Sequence, residues 1–325
     1  MTREHGGPDA MGVPRWDFST NANACGPCPV VRDAVQQADA SHYPDPHYTA
    51  LRQTLADFHR VDPRRIVPGA SASELIARIT AWAWRSGARR FWQPVLAYGD
   101  YAQAARAWRM QQADFAGEAD LVWLCEPSSP LGMAEAQAWQ GAAEGSIVVL
   151  DRAYEPLRLS GPCSLPPADL DEIWQMWSPN KAMGLTGVRG AYAIAPVHEH
   201  TMTHELEELA PSWPLGAHGV ALLETWVYAE AQDWLAGSRQ RLSAWKRQQT
   251  DLLEQLGWVC MPSVTNYFCA RAPSPIDMDA LRDHGVKLRD TRSLGLPGYW
   301  RLSVQSPEAQ GALRAALLRR RERVT

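Results

Sequence analysis

Two phrases decide the fold: Ile147-Val-Val-Leu-Asp-Arg-Ala-Tyr154 and, after a short gap, Ile173-Trp-Gln-Met-Trp-Ser-Pro-Asn-Lys181. Each is an apolar run of strand length that ends on a side chain able to do chemistry. Short apolar runs without strict alternation predict strands covered on both faces. In open α/β sheets, ligands gather at the carboxyl ends of such strands. Asp151 and Lys181 therefore stand where a site would form.

Working outward, helical spacing at 48–59 and 75–84 precedes further strands expected at 90–92, 121–125 and 190–194, which alternate with helical stretches. Continuous apolar strands alternating with helices predict an α/β domain with a mostly parallel sheet. Residues 219–256 lack proline and read as one long helix or two abutting ones. Strands at 266–271 and 300–304 and a helix at 307–321 follow. The expected organisation is an N-terminal arm over residues 1–40, extended and rich in Gly, Pro and Asn, that packs with the small domain. A large domain over 41–220 and a small α+β domain over 221–325 complete it.

Composition narrows the class. The 325 residues are 46% hydrophobic and 21% charged with a net charge of −4, which gives no global attraction to nucleic acid. The Arg319 to Arg323 run reads as the solvated end of a last helix rather than a binding patch. No apolar run reaches the roughly 18 residues of a membrane span. The start lacks a signal-peptide core, and six scattered cysteines fit a reduced compartment, so a cytoplasmic protein is expected. Of 32 basic residues, only Lys181, Lys246 and Lys287 are lysines. Amine chemistry has three candidates. Lys246 lies in a polar-rich helix and Lys287 reads as a surface residue, which leaves Lys181.

A third element precedes the 75–84 helix. In Gly69-Ala-Ser-Ala-Ser-Glu74, small and hydroxyl residues at a helix start, Ser71 and Ala72 among them, offer free N–H groups and a favourable dipole to a phosphate. Helix capping by serine is the structural alternative.

Together, Gly69–Glu74, Asp151–Tyr154 and Ser178–Lys181 resemble the fold-type I pyridoxal-phosphate enzymes, in the branch holding histidinol-phosphate aminotransferase and threonine-phosphate decarboxylase. The resemblance runs over nearly the whole chain. It implies pyridoxal 5'-phosphate joined to Lys181 as a Schiff base, a fold-type I aminotransferase-like architecture and no metal. Asp151 and Tyr154 match the residues at the pyridine nitrogen and the phenolic oxygen. Tyr98 matches the ring that stacks on the pyridine, and Ser178, Asn180 and Arg189 match the phosphate cup. Tyr43-Pro-Asp-Pro46 matches a motif whose tyrosine reaches the partner subunit's cofactor phosphate, which implies a homodimer. His5-Gly-Gly7 and Asp17-Phe-Ser-Thr-Asn-Ala-Asn23 resemble the decarboxylase arm. His5, Asn23, Arg289 and Arg301 are the implied substrate contacts, with Arg301 on the carboxylate.

Three positions depart from the family pattern. The Glu126-Pro-Ser-Ser-Pro-Leu-Gly132 loop carries Ser129 where relatives have an amide on the phenolic oxygen. Arg152 stands in place of an acid, and Asn180 in place of a hydroxyl residue. The arm and the 289–301 segment favour decarboxylation of threonine phosphate to aminopropanol phosphate in cobalamin biosynthesis. The alternatives are a histidinol-phosphate or related amino-acid aminotransferase and, given Ser129 and Arg152, a cofactor-binding protein with lapsed catalysis. A small phosphorylated amino acid is the expected substrate, with no nucleic acid or membrane partner. Two rival constellations weigh less. Cys25-Gly-Pro-Cys28 has redox-pair spacing but follows an Asn-rich loop rather than a strand. His198, His200 and His204 lack a completing carboxylate or cysteine pattern.

Overall fold

The structure is a computed structural model that describes residues 6–134, 141–198 and 200–321, without the side chains of 200–202 and 319–321. His5 lies outside the described residues. The side chain of His200 and the Arg319–Arg323 charge run lie outside the described side chains.

A seven-stranded sheet forms the large unit, in the order Ile66–Gly69, Ala191–Ile194, Trp174–Trp177, Ile147–Asp151, Leu121–Cys125, Arg90–Trp92 and Gln111–Gln112. Only Ala191–Ile194 runs against the others; the remaining neighbours pair in parallel. Alternate residues of one strand enter different cores, as a two-residue side-chain period requires. Val149 packs with Trp82 and Tyr101 on one face, whereas Val148 and Leu150 pack with Val122 and Leu165 on the other. Both faces are covered, which is why these strands read as apolar runs.

A second sheet is antiparallel and built wholly from residues 259–303: Arg289–Asp290, Trp300–Ser303, Tyr267–Arg271 and Val259–Cys260. The N-terminal strand Trp16–Asp17 pairs in parallel with Val286–Lys287, which ties the start of the chain to this C-terminal unit.

Two local readings change. Residues 29–37 were expected to be extended but form the helix Pro29–Gln37, with Pro29 at its first position and Val31 and Val35 buried one turn apart. Gly69, read as part of the stretch that opens the helix, instead ends the strand Ile66–Gly69, which also holds Pro68. That strand is the sheet's edge, where a missing N–H is tolerated. Of the two forms expected for 219–256, the structure has two helices, Ala217–Thr225 and Ala229–Gln255. No described helix is long and apolar enough to cross a membrane.

Candidate active site

The sheet delivers its residues to one cavity of about 280 Å³. Asp151 is the last residue of its strand. Ser178, Asn180 and Lys181 follow the end of Trp174–Trp177, and Ser71–Ser73 open the helix after Ile66–Gly69. Arg301 comes from the second sheet and Asn21 from the N-terminal segment. The cavity lining carries three cations, Lys181, Arg189 and Arg301, against one carboxylate, Asp151. Such a lining suits an anionic ligand.

Local chemistry prepares each part. Ser71 caps the helix Ala72–Arg85 by accepting the Glu74 N–H at 3.1 Å, and the Glu74 carboxylate reaches back to the Ala70 N–H at 3.1 Å. This reciprocal cap satisfies two amides. It leaves those of Ala72 and Ser73 without an acceptor among the described residues, so the capping and phosphate readings of Gly69–Glu74 are compatible. Gly69 is required by close approach, because a Cβ there would stand 2.7 Å from both Glu74 and Leu75.

Asn180 organises the loop after the Trp174–Trp177 strand. Its Oδ1 accepts from Ser178 at 3.1 Å, and its amide donates to the carbonyls of Thr186 and Val188 at 3.4 Å. Arg189 ends that loop, exposed and with no protein partner among the described residues. Lys181 points its ammonium toward the Tyr154 ring, 5.3 Å from the centroid.

Asp151 is buried, which pushes its carboxyl above the ordinary carboxylate range. The Tyr101 hydroxyl at 2.7 Å, the Ala153 N–H at 2.9 Å and the nearby Lys181 charge all oppose that shift. Burial also raises Tyr98, whose hydroxyl lies 3.4 Å from Ser73. Asn21 donates to the Tyr154 hydroxyl at 3.2 Å. A phenol whose oxygen already accepts from an amide keeps its own proton for a ligand.

The cavity thus brings together Ser71, Ala72, Tyr98, Ser129, Asp151, Tyr154, Ser178, Asn180, Lys181, Arg189 and Arg301. Three expected residues stand elsewhere. Asn23 is turned to the backbone, its side chain donating to the Ala182 carbonyl at 3.0 Å and accepting the Cys25 N–H. Arg289 lies opposite Arg301 in the strand pair and donates to Ser293 at 3.1 Å, outside the cavity wall. Tyr43 is 76% exposed and stacks on Trp213 at 4.3 Å, away from this chain's cavity.

The other lysines are occupied. Lys246 donates to the carbonyls of Ser263 and Thr265 at 2.6 and 2.8 Å, and burial lowers it to about 8. Lys287 pairs with Asp9 at 2.8 Å and is half-buried rather than a free surface residue. Arg152 is absorbed structurally, lying over Trp177 at 4.5 Å and donating to Gln175 at 2.8 Å.

Among the described residues no group of three could hold a metal, and His198 and His204 are exposed beside Glu172 and Glu208. Cys25 and Cys28 are free thiols, and burial raises Cys28, the reverse of an activated redox cysteine.

Several residues in or behind the cavity went unnoticed in the sequence. Asn21 sits two residues from the one chosen, in the same Asn-rich loop. Tyr101 follows the stacking tyrosine by three. Tyr267 packs edge-on to Tyr154 at 4.7 Å, lies beneath the Arg301 guanidinium and donates to the Ser128 carbonyl at 2.7 Å. Helical spacing could have found Tyr101; nothing local marks Tyr267.

Comparison with known proteins agrees with this geometry. A profile of aminotransferase class I and II matches residues 15–316. Histidinol-phosphate aminotransferase 1 of Bradyrhizobium diazoefficiens is 26% identical over 318 residues, covering 91% of this chain and 90% of that protein. Histidinol-phosphate aminotransferase 2 of Burkholderia mallei is 25% identical, covering 92% and 90%.

Two solved structures share the fold. Histidinol-phosphate aminotransferase from Sinorhizobium meliloti, in complex with pyridoxal-5'-phosphate, superposes with a TM-score of 0.77 at 22% identity, over 92% of this chain and 88% of that one. L-threonine-O-3-phosphate decarboxylase from Porphyromonas gingivalis gives 0.77 at 22% identity, over 94% and 99%. The chain belongs to the aminotransferase class I and II family, as a fold-type I enzyme whose cofactor is pyridoxal phosphate.

Proposed function

We propose that this protein is an aminotransferase of the histidinol-phosphate type, acting on a small phosphorylated amino compound with an oxo acid as partner. The observation that carries this reading is one lysine, Lys181, whose ammonium has no hydrogen-bond or ion-pair partner among the described residues, in a cavity that also holds a buried carboxylate and two further cations. The curated relatives support amino transfer ahead of the decarboxylation that the arm and the 289–301 segment favoured.

The donor set fits the cofactor. The acceptor-free amides of Ala72 and Ser73, the Ser178 hydroxyl and the Arg189 guanidinium would hold its phosphate. Tyr98 would cover the ring, with Asp151 at the pyridine nitrogen and Tyr154 at the phenolic oxygen. When bound, pyridoxal phosphate supplies an electron-accepting ring that stores the charge left when a bond at the substrate's alpha carbon breaks.

Lys181 would take the proton from that carbon and deliver it to the cofactor. Asp151, as an anion, would hold the ring nitrogen in its protonated form. Tyr154, with its oxygen already accepting from Asn21, would donate a hydrogen bond to the phenolic oxygen. Arg301 takes the carboxylate of the acid partner through its planar fork. Tyr43, exposed on this chain, would reach the phosphate of a second copy, so we propose a homodimer.

Decarboxylation of threonine phosphate is the second reading. It is favoured by Gly6, Ser19, Thr20 and Asn21 of the N-terminal segment lining the cavity. Incubation with histidinol phosphate and 2-oxoglutarate tests the first reading, with glutamate as the expected product. Carbon dioxide from threonine phosphate, with no glutamate in the first reaction, would replace amino transfer by decarboxylation. Neither product from a cofactor-loaded protein would favour lapsed catalysis.

A further inference from the structure

We propose that Tyr101 is a positioning residue: its hydroxyl, donating to Asp151 Oδ2, keeps that carboxylate ionised and aimed into the cavity. The inference rests on the reading above, in which Asp151 faces the pyridine nitrogen.

Tyr101 lies in the helix Gly99–Ala107 and is fully buried. Its ring lies flat against Trp123, with centroids 4.8 Å apart and planes 6° from parallel, and meets the edge of Tyr98 at 5.7 Å. This packing fixes the phenol, and its oxygen stands 2.7 Å from Asp151 Oδ2. The other carboxylate oxygen, Oδ1, accepts the Ala153 N–H at 2.9 Å. Each oxygen therefore has one donor among the described residues. The backbone donor comes with the fold, whereas the tyrosine donor depends on residue type.

The charges facing Asp151 show why such a donor matters. Lys181, after the neighbouring strand, favours the anion, and Asp100, on the helix that carries Tyr101, opposes it. Cys125 lies opposite Asp151 in the strand pair, and Tyr154 follows three residues later. Burial is the largest influence and disfavours the charge. Burial also pushes Tyr101 well above its ordinary value, so the phenol keeps its proton and acts as a donor. A neutral donor stabilises the carboxylate without cancelling its charge, and that charge is what the ring nitrogen requires. Phenylalanine would pack alike and leave Oδ2 facing an apolar edge, which raises the carboxyl further.

The test is Tyr101→Phe in the full chain, read in two ways. Infrared difference spectra of cofactor-free protein labelled with carbon-13 aspartate report the protonated Asp151 carboxyl, with Asp151→Asn as the blank. The expected result is a band that titrates at least one pH unit higher in Tyr101→Phe than in wild type. In the loaded enzyme the acid limb of the kcat profile should move the same way. Turnover at pH 6 should fall at least tenfold and largely recover at pH 9, with KM little changed.

Trp123→Phe loosens the same ring but keeps the hydroxyl, and its titration should follow wild type. 3-Fluorotyrosine incorporated at position 101 is a stronger donor and should move the band to lower pH, an arm that survives even if Tyr101→Phe does not fold. Superimposable titrations for wild type, Tyr101→Phe and the fluorinated protein would overturn the proposal, as would an equal shift in Trp123→Phe. Failure of the wild-type protein to transfer amino groups would sink the functional reading alone, since the carboxyl titration needs no turnover.

Discussion

Arg301 and Ser129, 172 residues apart in the chain, meet at 3.3 Å, where a guanidinium N–H of Arg301 donates to the serine hydroxyl. The second terminal nitrogen reaches the Ser19 carbonyl only at 3.5 Å, and the buried Nε has no acceptor among the described residues. Buried polar groups are ordinarily well bonded, so this arginine is held short of its capacity, with Tyr267 beneath it. Ser129 is too short to crowd the cavity, and it orients a cation instead of filling the place of an amide.

An underbonded planar cation is suited to a carboxylate, and lysine would not reproduce the fork. Arg301→Lys should raise KM for the oxo acid by about 10- to 100-fold, the equivalent of about 1.5–3 kcal/mol of charged hydrogen bonding. Cofactor absorbance should be unchanged. Initial-rate kinetics with 2-oxoglutarate check this, and an unaltered KM would place the carboxylate elsewhere.

Only one of the three lysines is available for covalent chemistry. Borohydride reduction of the loaded protein should attach the cofactor at Lys181, and Lys181→Ala should abolish the adduct. Lys287→Ala should retain it. Lys246→Ala should retain it too, with a stability loss of about 1–3 kcal/mol from two carbonyls left without their donor. Peptide mass mapping and denaturant melts read both outcomes; an adduct on Lys246 or Lys287 would overturn the site.

Arg189 offers a cleaner separation of binding from folding, because it has no partner among the described residues. Arg189→Gln should leave the melting temperature of cofactor-free protein within about a degree. It should weaken pyridoxal phosphate binding by about tenfold or more, as loss of a charge-assisted contact predicts. A drop in cofactor-free stability would show that the side chain supports the loop instead.

His59 supplies a pH dependence outside the cavity. Burial, and then the Arg152 charge, lower it to about 3, and its Nε2 lies 2.7 Å from the Tyr192 hydroxyl. The native ring stays neutral while the unfolded one takes up a proton below pH ~6.5. The unfolded state thus binds more protons between about 3 and 6.5, and stability must fall as pH drops through that window. From pH 7 to pH 4.5 the loss from this group should be about 2–3 kcal/mol. His59→Gln should shrink the difference between denaturant melts at the two pH values; an identical difference would assign the acid sensitivity to carboxylates.

Much of the site was legible because its signals are local. Strand runs ending at Asp151 and before Lys181 declare both position and chemistry, and Ser71 with Glu74 announces a helix start. The arm helix Pro29–Gln37 was hidden because its two buried valines are too few to outweigh the surrounding Gly and Pro. Asn21 and Asn23 share a loop and a chemistry. Which one turns into the cavity depends on the loop's path over Lys181 and Ala182, a contact more than 150 residues away.

The sequence by itself determined the layer architecture, the strand ends that carry Asp151 and Lys181, and the amine open to reaction. Those follow from hydrophobic period and from residue type, properties that a short window of chain contains. Only the tertiary structure decided that Tyr101 bonds Asp151, that Arg301 meets Ser129, and that Arg289 and Asn23 turn away. Each of those outcomes depends on which side chains distant in sequence share a packed space. In a close-packed interior that is set by the joint fit of many residues and not by the pattern around any one of them.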